Sequence, residues 1–299
     1  MQSIERRIAA LAVDQHSLVT YGRMTGAGIT RREIERRQEN GIIVPRFRGV
    51  FAVAGAEPTY EQGVMAACLA TGGVASHRCA ARLFRLRGFG SEKRIEITVP
   101  NRRATKLDGV VAHMSNLLET TTIGVIPVVM PAQVLLGLAE VAPQRAEGAV
   151  NDALVKGLAT LPALVRFAQR QSAQGRGGIV RLRGLLDEQV RAGGATESWL
   201  EDQVVEFLRQ RGFPPPVRQY RVGRWRLDLA WPERMVNFEA DGRLWHTSPS
   251  DRRRDAARDA ALGGIGFRIE RIGWLELNED PDGLEARLWR CYEDIKAAA

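Results

Sequence analysis

The sequence predicts a multidomain α+β protein, and three features of the chain support this prediction. Its 299 residues exceed one typical domain of about 100–200 residues. Near the N-terminus, three short helical patterns precede a hairpin pattern. Near the C-terminus, a helix precedes a hairpin, a second helix and a strand. Because residues 131–192 between them keep a helical period, we expect two folded ends connected by a helical region.

The N-terminal elements follow from local sequence signals. Residues 3–14 carry apolar side chains at helical spacing, and Ser17 is predicted to cap a second short helix. Thr30 and Glu33 form a capping box that opens a third helix. Residues 42–53 alternate like a hairpin. Three helices followed by a hairpin are the element order of a winged helix-turn-helix.

The predicted third helix and hairpin are rich in arginine. A formal net charge of +8 and a pI near 10.0 make a polyanion the expected partner, because arginine side chains bind phosphate backbones. A solvated amphipathic helix is the alternative for such a charge run. The candidate DNA-binding residues are Arg31, Arg32, Arg36, Arg37, Arg46 and Arg48.

The region after the hairpin resembles a known family. The stretches VASHRCAARLFRLRGF, IEITVP and GVIPVVMPAQVLLGLAEV resemble the N-terminal region of the AbiEi family of antitoxins, over roughly residues 1–190. The resemblance implies a winged helix that binds operator DNA, and a cognate toxin as protein partner. His77 lies at the start of a predicted helix with no paired carboxylate or nucleophile, so we expect it to cap or pack rather than to catalyse.

Composition excludes several classes of protein. The three cysteines lack CxxC spacing and are expected to be reduced thiols, so no structural zinc is expected. No run approaches about 18 apolar residues, and the N-terminus lacks the apolar segment of a signal peptide. We therefore expect a cytoplasmic protein that does not insert into a membrane.

Acidic residues near the C-terminus form the candidate catalytic cluster. If a hairpin pairs Trp231 with Val236, Asp228 falls opposite Glu239 with side chains about 5 Å apart. Asp241 follows on the face of Glu239, two residues further along the strand. Carboxylates grouped in this way suit a hard divalent cation. The sequence thus predicts Mg²⁺ or Mn²⁺ held by Asp228, Glu239 and Asp241, with the solvated face of an edge hairpin as the alternative.

The ordered motifs of this region resemble the very short patch repair (Vsr-like) endonucleases and the broader PD-(D/E)XK nucleases, over about residues 196–280. The resemblance implies a restriction-endonuclease-like α/β domain. It also implies that Asp228 is the principal metal ligand, that Glu201 and Glu239 are supporting acids, and that His246 is the general base. Further residues at positions that would contact DNA are Leu244, Trp245 and Arg254.

The chain departs from the pattern of these nucleases at one catalytic position. Typical members carry a catalytic Lys two residues after the second acid, whereas Glu239-Ala240-Asp241 has Asp there. Activation of water would then fall to His246 or to the metal. The cysteines and additional histidines that build the zinc site of the repair enzymes are also missing, so a zinc is not implied.

Together these interpretations predict four segments and one preferred function. Residues 1–56 form the winged helix, 57–125 an α+β region, 126–194 a helical adaptor and linker, and 195–299 the nuclease domain. The preferred function is Mg²⁺-dependent hydrolysis of double-stranded DNA, with a repair or restriction protein as partner. The alternatives are an AbiEi-like antitoxin or repressor whose nuclease-like domain is inactive, and a protein-interaction adaptor.

Overall fold

The computed structural model describes residues 3–100, 106–116, 118–172, 177–192, 197–241 and 249–293. The chain divides into two compact units. The first comprises Met1–Ala159 and Gly175–Leu182, and the second Thr160–Gln174 and Arg183–Ala299. The division into four segments is finer than these two units and stays a prediction.

The first elements of unit 1 follow the predicted order, with one strand added. The elements are α1 (Ile4–Ala12), β1 (Leu18–Thr20), α2 (Tyr21–Gly26), α3 (Arg31–Glu39), β2 (Ile43–Phe47) and β3 (Val50–Val53). The strands form a sheet in the order β1-β3-β2. Ile8, Met24, Ile34 and Phe51 are among the residues that form its hydrophobic core with the helices. Identification of this arrangement as a winged helix-turn-helix stays a prediction.

The helix caps of this region confirm one sequence prediction and correct another. Thr30 and Glu33 form the predicted capping box at the start of α3. Ser17, however, does not cap α2. The cap is Thr20, whose hydroxyl accepts a hydrogen bond from the backbone N–H of Arg23 at 3.1 Å. Residue 17 instead precedes β1 with a φ of 60°, because the chain forms a short strand before the helix begins.

The rest of unit 1 is a sheet covered by helices. Its elements are α4 (Tyr60–Thr71), β4 (Val74–Ala75), α5 (His77–Leu83), β5 (Ile95–Val99), β6 (Val110–Met114), β7 (Thr120–Ile123), β8 (Ile126–Val129), α6 (Pro131–Val141) and α7 (Pro143–Val155). The strand order is β6-β5-β4-β8-β7. Gly178 approaches the backbone of α6 so closely that a Cβ would lie 2.7 Å from the carbonyl oxygen of Leu136. With a φ of +76°, this position requires glycine.

His77 is a packed residue, as predicted. Its ring stacks on that of His113 with centroids 3.5 Å apart, and its Nδ1 lies 2.9 Å from the hydroxyl of Ser76. A Cβ added to Gly137 on α6 would lie 2.7 Å from the ring. Burial, with the neighbouring His113, lowers the pKa of His77 to about 3. The imidazole is therefore neutral near pH 7 and serves the packing of α5 against α6.

Unit 2 contains a mixed sheet with helices around it. The elements of the chain from residue 161 onward are α8 (Leu161–Ser172), α9 (Ile179–Ala192), α10 (Glu197–Gln210), β9 (Val217–Val222), β10 (Trp225–Trp231), β11 (Val236–Asp241), α11 (Pro249–Gly264), β12 (Arg268–Gly273), α12 (Trp274–Glu279) and α13 (Pro281–Glu293). The strand order is β12-β11-β10-β9, with β12 parallel to β11. Strand β9 was not predicted from the sequence.

An aromatic cluster anchors α13 to the sheet. Trp231 of β10 makes edge contacts with Phe238 of β11 at 4.9 Å and with Tyr292 of α13 at 5.3 Å between ring centroids. Trp231 and Phe238 are almost fully buried. Edge-to-face aromatic pairs add about 0.5–1.5 kcal/mol each beyond their buried area, so this cluster holds the hairpin of β10 and β11 in place. In the described part of the chain, no helix combines the length and apolar character needed to cross a bilayer.

Candidate active site

The hairpin of β10 and β11 has the register that the sequence predicts. Trp231 pairs with Val236, and Leu229 pairs with Phe238. A short 3-10 turn at Pro232–Arg234 connects the two strands. Continuing this register by one residue places Asp228 opposite Glu239. The hairpin therefore brings together two acids that lie eleven positions apart in the chain.

Asp228 is partly buried in an unfavourable electrostatic environment. Burial, followed by the negative charges of Glu239 and Glu201, raises the pKa of Asp228 from 3.8 to about 6. The guanidinium of Arg258 and a hydrogen bond from the backbone of Ala240 offset only part of this effect. Carboxyl groups whose pKa values are raised by burial and by neighbouring charges concentrate at functional sites.

Glu239 is buried and is neutralised within the protein. The guanidinium of Arg258 on α11 donates to both carboxylate oxygens, from Nη1 to Oε2 at 2.8 Å and from Nη2 to Oε1. Arg271 lies 3.9 Å from Oε2, and the side-chain amide of Asn237 donates to Oε1 at 3.1 Å. The fork of Arg258 thus fixes the orientation of the carboxylate, as bidentate arginine pairs do.

Glu201 of α10 lies at the edge of the acidic cluster. Its carboxylate accepts hydrogen bonds from Arg218 at 3.1 Å and from the side-chain amide of Gln219 at 2.8 Å, both on β9. Its charge still contributes to the raised pKa of Asp228. Glu201 therefore shapes the electrostatic field of the site while its own oxygens are bound by β9.

The other predicted residues of this site are distributed differently. Asp241 is the last residue of β11 and pairs with Gly273 of β12. Arg254 is exposed on α11. His246, Leu244 and Trp245 lie outside the described residues, so the proposed general base and the two apolar DNA contacts stay predictions.

The arginines of the N-terminal region divide into exposed and engaged side chains. Arg37 lies against α1, where its Nη2 is 2.9 Å from the carboxylate of Glu5. Arg46 on β2 donates to the side chain of Gln62 on α4 at 3.1 Å. Because these two guanidinium groups hold elements together, DNA contacts by either one would require these bonds to open.

The remaining N-terminal candidates are exposed. Arg31 forms an ion pair with Glu35 one turn along α3, with Nε and Oε1 2.7 Å apart. Such exposed pairs contribute little to stability and open readily. The side chains of Arg32, Arg36 and Arg48 are also exposed. These four arginines are the ones available for contact with a phosphate backbone.

The donor chemistry at Asp228 suits a hard divalent cation. Within the residues that the structure describes, no group of three or more His, Cys, Asp or Glu side chains is arranged to hold a metal ion. The pKa of Asp228 is nevertheless raised by burial and then by repulsion from two carboxylates, and a cation would relieve that repulsion. Mg²⁺ is commonly held by only one or two carboxylates with water and phosphate. Asp228 fits as the principal ligand, and Glu239 reaches the ion only if Arg258 releases it.

Arg258 is the site residue that sequence reasoning missed. It is one arginine among four in the segment DRRRDAARDAAL, and only Arg254 of that segment was predicted from the sequence to contact DNA. Its spacing from Leu262, which is fully buried, was the available signal, because residues four apart lie on the same face of a helix. That face turns Arg258 toward the sheet and the carboxylate of Glu239.

Comparison with known proteins identifies the class of the C-terminal region. The family REase_MTES_1575, which is restriction-endonuclease-like, matches residues 200–291. This range covers the helix α10, the four-stranded sheet and most of α13. This match supports a nuclease-like domain in the C-terminal region.

Relatives of the whole chain extend beyond this domain. The uncharacterized proteins MT2308 and Rv2248 of two Mycobacterium tuberculosis strains are each 27% identical over 277 residues, which cover 90% of this chain and all of theirs.

Two solved structures share limited similarity with parts of the chain. The catalytic domain of the homing endonuclease I-Bth0305I is 20% identical with a TM-score of 0.27, covering 31% of this chain and 93% of that one. The RV2827C protein from Mycobacterium tuberculosis is 17% identical with a TM-score of 0.38, covering 61% of this chain and 75% of that one. TM-scores this low do not establish a shared fold.

Proposed function

We propose that the protein binds double-stranded DNA and hydrolyses its phosphodiester bonds with Mg²⁺ or Mn²⁺ at the C-terminal domain. The observation that carries this proposal is the position of Asp228. It lies opposite Glu239 in a restriction-endonuclease-like domain, and its pKa is raised to about 6 by burial and by two neighbouring carboxylates. A fold that retains this repulsion has the negative potential that a divalent cation requires.

Each residue of the site has a separate proposed role. Asp228 would hold the cation, with Asp241 and, once Arg258 releases it, Glu239 as further oxygen ligands. When bound, the cation polarises the phosphate and lowers the pKa of a coordinated water. His246 accepts the proton of the attacking water, since imidazole titrates near neutral pH. The charge of Glu201 makes the electrostatic potential at Asp228 more negative. This potential attracts protons as well as cations, so Asp228 would bind the cation best at pH values above its raised pKa.

The N-terminal region has the separate role of binding DNA. We propose that the segment from α1 to β3 is a winged helix-turn-helix, with α3 in the major groove and the hairpin of β2 and β3 along the backbone. The exposed Arg32, Arg36 and Arg48 would contact phosphates. Affinity and chemistry would then reside in different residues, which makes them separable by mutation.

Cleavage assays on the full-length protein test the nuclease proposal. With Mn²⁺ or Mg²⁺, the wild type should nick or cut duplex, mismatched, single-stranded or branched DNA. Asp228→Ala should abolish cleavage and retain DNA binding. Arg32→Ala with Arg36→Ala should weaken DNA binding, and the affinity of this variant should fall less steeply with salt than that of the wild type. His246→Ala should lower the rate by about 10²–10⁴. Complete inactivity of the wild type on all four DNA forms with both metals would remove the nuclease proposal.

A non-enzymatic function is the second candidate, and the contacts of Glu239 favour it. Both oxygens of this acid are bound by Arg258, and Asp241 occupies the position where typical nucleases carry Lys. The protein would then be an AbiEi-like antitoxin or repressor whose nuclease-like domain binds DNA or a partner such as a cognate toxin. Isothermal titration separates the two candidates. Weak Mg²⁺ or Mn²⁺ binding that Asp228→Ala abolishes supports the enzyme, and its absence supports the repressor.

A further inference from the structure

The hairpin of β9 and β10 places two arginines directly opposite each other. Arg226 of β10 pairs with Arg221 of β9, and both side chains are exposed. Directly opposed residues on antiparallel strands project from the same face with Cβ atoms about 4.5–5.5 Å apart, and like charges at such positions are destabilising. Among the described residues, no carboxylate lies within ion-pair distance of either guanidinium. Considering the described residues alone, the hairpin therefore displays two neighbouring positive charges without an ion-pair partner.

Several other arginines of this unit form ion pairs with acidic side chains of the same unit. The ion pairs are Arg209 with Glu206, Arg211 with Asp282 and Glu285, Arg218 with Glu201 and Asp202, Arg258 with Glu239, Arg271 with Asp259, and Arg287 with Glu270 and Glu276. Even Arg218, on the same strand as Arg221, has two carboxylate partners. The described residues provide no such acid for the facing pair, which is therefore available to bind an external anion.

The arginine pair is connected to the candidate active site by the backbone. Arg226 precedes Asp228 by two residues on β10, which corresponds to about 7 Å along a strand. The carbonyl oxygen of Arg226 accepts a hydrogen bond from Nη2 of Arg258 at 3.0 Å, and the same guanidinium binds Glu239. A phosphate bound by the two arginines would therefore lie about one nucleotide away from a phosphate that reacts at Asp228.

We propose that Arg221 and Arg226 form a phosphate clamp that holds the DNA strand beside the phosphodiester to be cleaved at Asp228. The inference rests on the proposed nuclease function and assigns the residues that position its substrate. Two guanidinium forks can enclose one phosphodiester through charge-assisted, bidentate hydrogen bonds. Such contacts fix the register of the strand without reading its sequence. The clamp explains how a domain with so acidic a centre can hold a polyanion.

Binding measurements test the clamp in the full-length protein. All variants carry Asp228→Asn to prevent cleavage, and fluorescence anisotropy follows a labelled DNA duplex over a range of salt concentrations. Arg221→Gln with Arg226→Gln should weaken binding about tenfold or more and reduce the salt slope by about 1 to 2. Arg221→Lys with Arg226→Lys should keep the salt slope of the wild type, because the charges remain. Its affinity for DNA should still be lower, because lysine lacks the bidentate fork of arginine.

A matched control separates the clamp from general loss of charge. Arg170→Gln with Arg290→Gln removes two charges from exposed helical positions of the same unit and should change affinity less than twofold. With Asp228 intact, the clamp variant should raise KM for cleavage and leave kcat within about twofold.

The outcomes distinguish the clamp from the nuclease itself. If the wild type cleaves DNA but the variant of Arg221 and Arg226 behaves like the control, the clamp is wrong and the nuclease stands. If the wild type cleaves nothing while the variant still weakens binding, Arg221 and Arg226 bind the DNA backbone, but the nuclease and the role of this pair in positioning its substrate are both wrong. Binding and cleavage that are both absent in the wild type overturn the two together.

Discussion

Replacing Asp228 with Asn should make the C-terminal unit more stable while it abolishes cleavage. The pKa of Asp228 is raised from 3.8 to about 6, so keeping this carboxylate ionised costs folding free energy. This increase in the pKa of Asp228 corresponds to a loss of folding free energy of at most about 3 kcal/mol. Because the side chain is partly exposed, solvent screening reduces the expected cost to about 1–1.5 kcal/mol. Asn has nearly the same shape without the charge and should recover that amount.

The pH dependence of this stabilisation follows from the direction of the shift. Below pH 3.8, the carboxyl is protonated in both the folded and unfolded states and costs nothing. Between pH 3.8 and about 6 the cost increases as the unfolded state loses its proton first, and above about pH 6 it is complete. Asp228→Asn should therefore stabilise the unit at pH 8 and leave it unchanged near pH 4.

Urea denaturation at the two pH values measures this effect. The midpoint of the C-terminal transition should rise at pH 8 with an unchanged m value, and millimolar Mg²⁺ should stabilise the wild type but not the variant. Destabilisation of Asp228→Asn at pH 8 would refute the reasoning, because it would mean that the carboxylate is bonded favourably within the sheet.

Two further predictions concern residues that the hydrogen bonds and packing single out. Arg258→Gln should destabilise the C-terminal unit by about 3 kcal/mol, because the buried carboxylate of Glu239 loses its bidentate partner and keeps only Asn237 and the more distant Arg271. Adding Glu239→Gln to the same chain should restore most of this loss in a double-mutant cycle, and strict additivity would contradict the prediction. Gly137→Ala should lower the free energy of unfolding of the N-terminal unit by about 1–3 kcal/mol, since the new Cβ would lie 2.7 Å from the ring of His77. Adding His77→Ala should restore most of the melting temperature that Gly137→Ala lowers in thermal denaturation. An unchanged melting temperature in Gly137→Ala alone would contradict the prediction, because it would show that α5 and α6 separate at little cost.

Much of the fold could be predicted because its signals are local. The capping box of Thr30 and Glu33 depends on residues three positions apart. The hairpin register that pairs Trp231 with Val236 follows from strand alternation and a short turn. Signals of this kind act through neighbouring residues and survive in the sequence alone.

Other features could not be predicted because they depend on contacts across the fold. Strand β9 has few apolar residues, and its pairing with β10 decides its conformation. The short strand after Ser17 likewise forms because β3 lies beside it. In both cases tertiary pairing outweighs weak local preference.

The sequence by itself determined the helices and the hairpin near each end of the chain, the facing of Asp228 and Glu239, and the excess of arginine near both ends. Only the tertiary structure decided what each charge does. It bound Arg258 to Glu239 and Arg37 to Glu5, and it left Arg221 and Arg226 facing each other without a carboxylate partner among the described residues. The reason is physical: a residue's charge is a property of its side chain, whereas its partner and its pKa are set by groups that only folding brings within a few ångströms.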